Sequence, residues 1–225
     1  MSEPFFSVII PAYNSAGYIR KGLDSIARQT FRDFELIVVC DSCLDETEEI
    51  AREYGARVFR VDYGQDGMTR NKGLDEARGK WILFMDDDDW FLHEYVFQQL
   101  AEMAGQHGEN AVAFSYIWKT LGYTWQDPQN VSVHVWSKLW RRDFIGDTRF
   151  SIRKYWSDSD FHNKMMRKPG KIVYWNMPMY YYNYCRKGSQ TEQFYNGLTE
   201  RQAAPAVIVC DTTGTRKEME ERAEE

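Results

Sequence analysis

Short apolar runs alternate with amphipathic stretches through the first part of the chain, and the fourth run ends in four consecutive aspartates, Asp86-Asp87-Asp88-Asp89. Phe6 to Pro11 is a β-branched run stopped by proline, and Ala16 to Gln29 places Ile19, Leu23, Ile26 and Ala27 at helical spacing. Phe34 to Val39 reads as a second strand. Asp45 to Tyr54 reads as a helix whose first turn is acidic, where the positive end of the helix dipole favours carboxylates. Arg57 to Val61, Thr69 to Ala77 and Lys80 to Met85 continue as strand, helix and strand, and Leu92 to Ala104 adds a further helix. Strands this apolar have no polar face to give to water, so the intervening helices must cover the sheet on both sides. The fold class is α/β, with a mostly parallel central sheet flanked by helices.

In such sheets ligands bind beyond the carboxyl ends of the strands. Pro11, Ala12, Tyr13 and Asn14 follow the first strand, Asp41 the second and the aspartate run the fourth, so these groups should converge. Adjacent carboxylates oppose one another's ionisation unless a cation or hydrogen-bond donors compensate. If the run stays extended, alternate residues share a face roughly 6.6 Å apart, with Asp86 and Asp88 on one side and Asp87 and Asp89 on the other. Mg²⁺ and Mn²⁺ take oxygen ligands, and Mg²⁺ completes one or two carboxylates with water and substrate phosphates. A metal-held diphosphate therefore fits the run, with Asp88 as metal ligand and Asp86 as a second candidate. The competing reading is a solvated acidic turn in which Asp89 caps the following helix.

The net charge of −6, from 28 basic and 34 acidic residues, speaks against nucleic acid as a partner. No apolar run reaches the roughly 20 residues that span a bilayer. The start, Met-Ser-Glu-Pro, has neither a basic region nor an apolar stretch of about 7–15 residues after it, so no secretory leader is expected, and four cysteines without dense spacing suit a reduced cytoplasmic setting. Cys40 and Cys43 form a C-x-x-C without the second ligand pair of a zinc site, so free thiols are expected. Gly105 to Asn110 marks an approximate boundary. Beyond it the texture changes: residues 112–186 hold 18 of the 35 aromatic side chains. Arg216 to Glu225 is a charged stretch, helical or disordered.

Ser7-Val8-Ile9-Ile10-Pro11-Ala12-Tyr13-Asn14, Val38-Val39-Cys40-Asp41-Ser42 with Asp45 and Thr47, Arg70-Asn71-Lys72-Gly73 with Ala77-Arg78-Gly79, and Phe84-Met85-Asp86-Asp87-Asp88-Asp89-Trp90 resemble, in order, the motifs of family 2 glycosyltransferases of the GT-A fold. The resemblance continues more weakly through Val135 to Leu139, Trp156 to Phe161 and Tyr181 to Thr191, and covers roughly residues 5–192. It implies a Rossmann-like nucleotide-sugar half (1–110), a smaller mixed acceptor half of the same domain (111–200) and a tail (201–225) outside the match. It also implies an inverting, metal-dependent transfer, with Mn²⁺ or Mg²⁺, from a UDP-sugar to a hydroxyl of a glycan or lipid-linked acceptor in bacterial polysaccharide synthesis. Pro11, Ala12 and Tyr13 would lie along the base, with Asn14 in the same segment. Asp41 would accept a hydrogen bond from the base, and Arg70 would reach the base or diphosphate. Asp86 would contact the ribose, Asp87 would line the donor site, and Asp88 would hold the metal bridging the phosphates. Each role is chemically apt: a pyrimidine offers N–H donors to a carboxylate, and a guanidinium matches phosphate oxygens.

The resemblance also implies a base that deprotonates the acceptor hydroxyl. The family has a Glu-Asp pair there. This chain has Ser157-Asp158-Ser159-Asp160-Phe161, so Asp158 aligns with the base, Ser157 replaces the glutamate, and Asp160 is the rival two residues on. Asp158 could equally cap the amphipathic turn Phe161 to Met166. His162 reads as structural rather than as a metal or phosphate contact. Tyr180, Tyr181, Tyr182 and Tyr184 with Arg186 or Lys187 are expected to edge the acceptor side, where rings offer apolar faces to sugar C–H groups. Two other readings stay open: a sugar-phosphate nucleotidyltransferase, for which the loop after the first strand lacks a Gly-rich basic stretch, and a nucleotide-sugar-binding module that has lost catalysis. A homodimer and peripheral contact with the inner face of the membrane also stay open.

Overall fold

The computed structural model describes residues 3–118, 122–124, 126, 131–153, 155–184, 186 and 189. Among these residues nine strands form one sheet: β1 (Phe6–Ala12), β2 (Phe34–Asp41), β3 (Arg57–Val61), β4 (Trp81–Phe84), β5 (Trp90–Phe91), β6 (Ala111–Trp118), β7 (Gly122–Thr124), β8 (Lys138–Arg141) and β9 (Ile172–Tyr182). Their order is β3-β2-β1-β4-β8-β6-β9-β5, with β7 paired to β6. Strands β1 to β4 pair in parallel, whereas β8 runs antiparallel to both β4 and β6 and β9 runs parallel to β6.

The described helices are α1 (Ile19–Ala27), α2 (Thr47–Glu53), α3 (Asp66–Glu76), α4 (Val96–Met103), α5 (Arg142–Ile145) and α6 (Ser157–Met166). All seven residues of β1 are buried, as two-sided cover requires. Helix α3 lies so close to β1 that a Cβ at Gly73 would stand 2.3 Å from the Ile9 Cγ2. Phe150 and Phe161 stack with centroids 4.1 Å apart and meet Phe84 edge-on, which seats α6 against the end of β4.

Several boundaries move from their expected places. Trp90–Phe91, just ahead of the helix expected over Leu92 to Ala104, form β5, paired to Tyr180–Tyr181, and α4 begins only at Val96. Helix α3 starts at Asp66 rather than Thr69, and α2 at Thr47, where Asp45 accepts the Thr47 N–H at 3.1 Å. Lys187, Gly188, Gln190, Thr191 and the tail lie outside the described residues. Among the described residues no helix is long and apolar enough to cross a membrane.

The chain leaves β1 toward β2 and β3 and then returns to β4 on the other side of β1. This reversal opens a crevice at the carboxyl ends of β1 and β4, the usual ligand position in open α/β sheets.

Candidate active site

The aspartate run lies in that crevice, but it is not extended. The chain turns after β4, and the Asp89 N–H donates to the Asp86 carbonyl at 3.2 Å. The expectation of an extended run is therefore corrected: the turn sends each of the four carboxylates to partners of its own. Asp86 accepts from Arg70 at 2.6 Å, Asp87 from the Tyr13 N–H at 3.2 Å and from the Ser15 hydroxyl, and Asp88 from the Arg186 Nε at 2.6 Å. Asp89 caps no helix. It is fully buried and accepts the Tyr180 hydroxyl at 2.7 Å and the Asn183 N–H at 2.8 Å. The Tyr180 oxygen in turn accepts the Asp86 N–H at 3.1 Å, so the last strand is fastened to both ends of the run.

Burial raises the Asp86 carboxyl to about 8, with Asp158, Asp66 and Asp88 adding to the rise and Arg70 opposing it. Burial and then Asp88 push Asp87 up to about 7. A site that crowds and desolvates carboxylates in this way favours a cation. One is already present in the Arg186 guanidinium, which bridges Asp88 and the Tyr18 ring at 3.9 Å.

Arg70 is 4% exposed and turned inward. Its terminal nitrogens reach Asp66, Asp86 and, at 3.4 Å, Asp158, while its Nε has no partner among the described residues. This guanidinium thus joins three elements: α3 through Asp66, the end of β4 through Asp86 and the first turn of α6 through Asp158. Asp158 also accepts the Val135 N–H at 3.3 Å. Asp160 takes the other side of α6, held by Lys164 at 2.7 Å and by Ser151. The structure therefore brings Asp158, and not Asp160, to Asp86. Ser157, in the place of the family's glutamate, donates to Asp66 at 3.1 Å.

Asp41 stands at the end of β2, and both of its oxygens are in use. They accept the N–H groups of Tyr63 (2.8 Å), Gly64 (3.0 Å) and Gln65 (3.2 Å) and the Thr69 hydroxyl (2.8 Å). Burial alone would raise this carboxyl, but the donors outweigh it and the net shift is downward. Tyr13, 62% exposed, lies at the mouth. Asn14 has a left-handed backbone (φ 47°), and its side chain accepts the Leu44 N–H at 2.8 Å. The loops after β1 and β2 are laced further by Ser15 N–H to Thr47 at 2.7 Å and Ala16 N–H to Asp45 at 2.9 Å. Pro11 and Ala12 are the last residues of β1 and pair with Val39 and Cys40.

Asp66, Ser15, Tyr18 and Tyr180 were not singled out for these contacts from sequence. Tyr180 gave a partial signal as part of the tyrosine block. Asp66 stands four residues before Arg70, a spacing that pairs on a helix, but it lies ahead of the helix expected from Thr69. His162 is buried, and burial first, then the charges of Lys138 and His134, lower its imidazole to about 3. The neutral ring belongs to the packing of α6. Tyr181 stacks on Trp90 at 4.1 Å, and Tyr182 and Tyr184 join Trp118 in a half-buried aromatic cluster. Cys40 and Cys43 are buried free thiols, with Cys43 on the Ala12 carbonyl at 3.5 Å.

Residues 7–171 match the family model described as glycosyl transferase family 2. The chain belongs to that family. The chain is 28% identical over 241 residues to glycosyltransferase GlyA of Streptococcus pneumoniae, a match covering 91% of this chain and 34% of that protein. It is 36% identical over 132 residues to the PGL/p-HBAD biosynthesis glycosyltransferase of Mycobacterium tuberculosis, over 56% of this chain and 52% of that one. The chain thus spans about a third to about a half of these two relatives. Among solved structures, TarS of S. aureus with UDP-GlcNAc superposes with a TM-score of 0.75 at 25% identity, over 83% of this chain and 60% of TarS. Glucosyl-3-phosphoglycerate synthase of Mycobacterium tuberculosis, at 18% identity and a TM-score of 0.64 over 92% and 82% of the two chains, shares the GT-A fold. The family match favours a sugar transferase over the nucleotidyltransferase.

Proposed function

We propose that this glycosyltransferase moves a sugar from a UDP-sugar to a hydroxyl of a glycan or lipid-linked acceptor, inverting the anomeric centre, in bacterial cell-surface polysaccharide synthesis. The observation that carries the reading is the convergence of Asp86 and Asp158 on Arg70 at the carboxyl ends of β1 and β4. It supports a donor carboxylate and an acceptor base held at fixed separation by one buried cation. The UDP-GlcNAc of the TarS structure supports a uridine diphosphate donor.

Tyr13, with Pro11, Ala12 and Asn14 behind it, borders the base, and Asp86 takes the ribose. Asp87 shapes the β1 loop through Tyr13 and Ser15. Asp41 has its acceptor positions filled, so it acts on the base by holding the Tyr63–Gln65 turn; a direct bond would have to displace one of its donors. Arg70, enclosed by three carboxylates, orients Asp158 and Asp86.

Asp88 would hold Mn²⁺ or Mg²⁺; Asp86, engaged by Arg70, would join it only by leaving that ion pair. The donor set is all carboxylate oxygen, and Asp88 already accepts a cation in Arg186, so the residues fit the ion. When bound, it offsets negative charge on the departing diphosphate. Asp158 takes the proton of the acceptor hydroxyl as that oxygen forms its bond to the anomeric carbon. The bond to the diphosphate oxygen breaks on the opposite face, and the electron pair leaves with UDP.

Asp158→Asn should leave UDP-sugar affinity within about twofold while lowering transfer by about 10²- to 10⁴-fold, the usual worth of a general base. If Asp160→Asn has that effect and Asp158→Asn does not, the assignment is wrong. Asp88→Ala should abolish the Mn²⁺-dependent part of UDP binding in calorimetric titrations with and without metal; an unchanged metal dependence would refute its role.

A further inference from the structure

Lys138 opens β8 and is fully buried. Its ammonium pairs with no carboxylate among the described residues; Asp158, whose charge reaches it, pairs with Arg70 instead. It donates to the Ser132 carbonyl, to the His134 carbonyl at 3.1 Å and to the Ser137 hydroxyl at 3.2 Å. An ammonium has three N–H donors and no acceptor, so three oxygens satisfy the charged form in full. Burial lowers the group to about 7, and Asp158 opposes the fall. The two histidines beside it, His134 and His162, bring no negative charge. A methionine of similar length would avoid the cost of burying a charge, so what the ammonium adds at this place is its hold on three oxygens of one loop.

That loop carries the amide that holds Asp158. The Ser137 hydroxyl donates to the same His134 carbonyl at 2.8 Å, which closes 132–138 into a turn around the 3-10 helix Val135–Ser137. The Val135 N–H comes first in that helix, where an amide has no partner within the helix, and donates to the Asp158 Oδ2 at 3.3 Å. Arg70 reaches the Oδ1 of the same carboxylate at 3.4 Å. The two oxygens of Asp158 are thus held by two elements, α3 on the donor side and the 132–138 loop on the other, and each keeps a lone pair for a proton. Trp136 ties the loop to the aspartate run as well: its ring stacks on Tyr180 at 4.6 Å, and the Tyr180 hydroxyl donates to Asp89.

We propose that Lys138 is a positioning residue for the transfer step: by gathering the Ser132 and His134 carbonyls and the Ser137 hydroxyl, it sets the Val135 N–H against Asp158 and fixes the carboxylate that receives the acceptor proton. The kinetic part rests on the reading of Asp158 as base; the chain of contacts from Lys138 to Asp158 does not.

The contacts are tested without substrate, by amide hydrogen exchange of the full chain followed by NMR. Lys138→Met should speed exchange at Val135 at least about tenfold relative to the amides of β1. Ser137→Ala, the milder change, should move it in the same direction. The kinetic part is tested by hydrolysis of UDP-glucose, UDP-galactose, UDP-GlcNAc and UDP-GalNAc with Mn²⁺, read as UDP release, with water in place of the acceptor hydroxyl. Lys138→Met should lower kcat about 10- to 100-fold and leave the donor KM within about twofold. Val135→Pro deletes only the N–H: His134, at φ −64° and ψ 129°, already has the extended backbone that precedes proline. It should show the same split, and Lys138→Met combined with it should fall within about threefold of the larger single loss, because both changes act through one bond. Unchanged Val135 exchange in Lys138→Met, losses that multiply in the double variant, or a raised donor KM at unchanged kcat would overturn the proposal. If Asp158→Asn hydrolyses donor as fast as the parent, the base reading fails and Val135 exchange still decides the contacts. A parent chain that hydrolyses none of the four sugars sinks the donor reading in the same separable way.

Discussion

Asp41 shows how a residue chosen for one role can be used for another. Besides the neighbouring Ser42 hydroxyl, four donors from 22 to 28 positions away reach it, and together these four hold the β3–α3 turn against the end of β2. Replacing it with Asn removes the charge and turns one acceptor into a donor that faces N–H groups. A loss of about 1–3 kcal/mol at neutral pH is expected. The sign of the pH dependence follows from the lowered folded-state value. The carboxylate stabilises the protein above its unfolded value, near 3.9, and that contribution disappears as pH falls through the still lower folded value. The deficit of Asp41→Asn relative to the parent should therefore be constant above about pH 5 and shrink on further acidification. Denaturant midpoints across pH 3 to 7 measure it, and a deficit that grows on acidification would contradict the assignment.

At the scale of elements, close backbone approach sets the geometry of the crevice. A Cβ on Gly79 would stand 2.4 Å from the Ser7 nitrogen and 2.5 Å from the Phe6 carbonyl carbon, both backbone atoms that cannot yield without moving β1. A Cβ on Gly17, in the loop before α1, meets nothing within 4 Å. Gly79→Ala should cost about 1–3 kcal/mol or more, and Gly17→Ala less than about 0.5 kcal/mol. Equal unfolding midpoints for the two variants would show that the β1–β4 seam has slack. The same scale explains the aspartate run: an isolated D-D-D-D sequence permits either an extended or a turned chain. The turn forms where Tyr180, from 94 residues away, accepts the Asp86 N–H and closes on Asp89. Trp90–Phe91 likewise becomes a strand because β9 offers it an antiparallel edge.

For the whole molecule, the seam between halves is not a linker. Strand β4 hydrogen-bonds β1 on one side and β8 on the other, and Arg70 joins α3 to α6 across the same line. Calorimetry should show one cooperative transition, and residues 1–110 expressed alone should not fold, since β4 would lose its β8 partner and expose its apolar surface. Two resolved transitions would show that the halves are independent. The sequence by itself determined the alternation of elements, the two-sided burial of β1, β2 and β4, the family, and which residues gather at the strand ends, because apolar periodicity and local motifs are properties of neighbouring residues. Only the tertiary structure decided where each carboxylate points, that Asp158 rather than Asp160 meets Arg70, that Asp66 completes the cluster, and that Arg186 reaches Asp88. Those outcomes depend on pairings between residues up to 98 positions apart, which local chemistry permits but only packing selects.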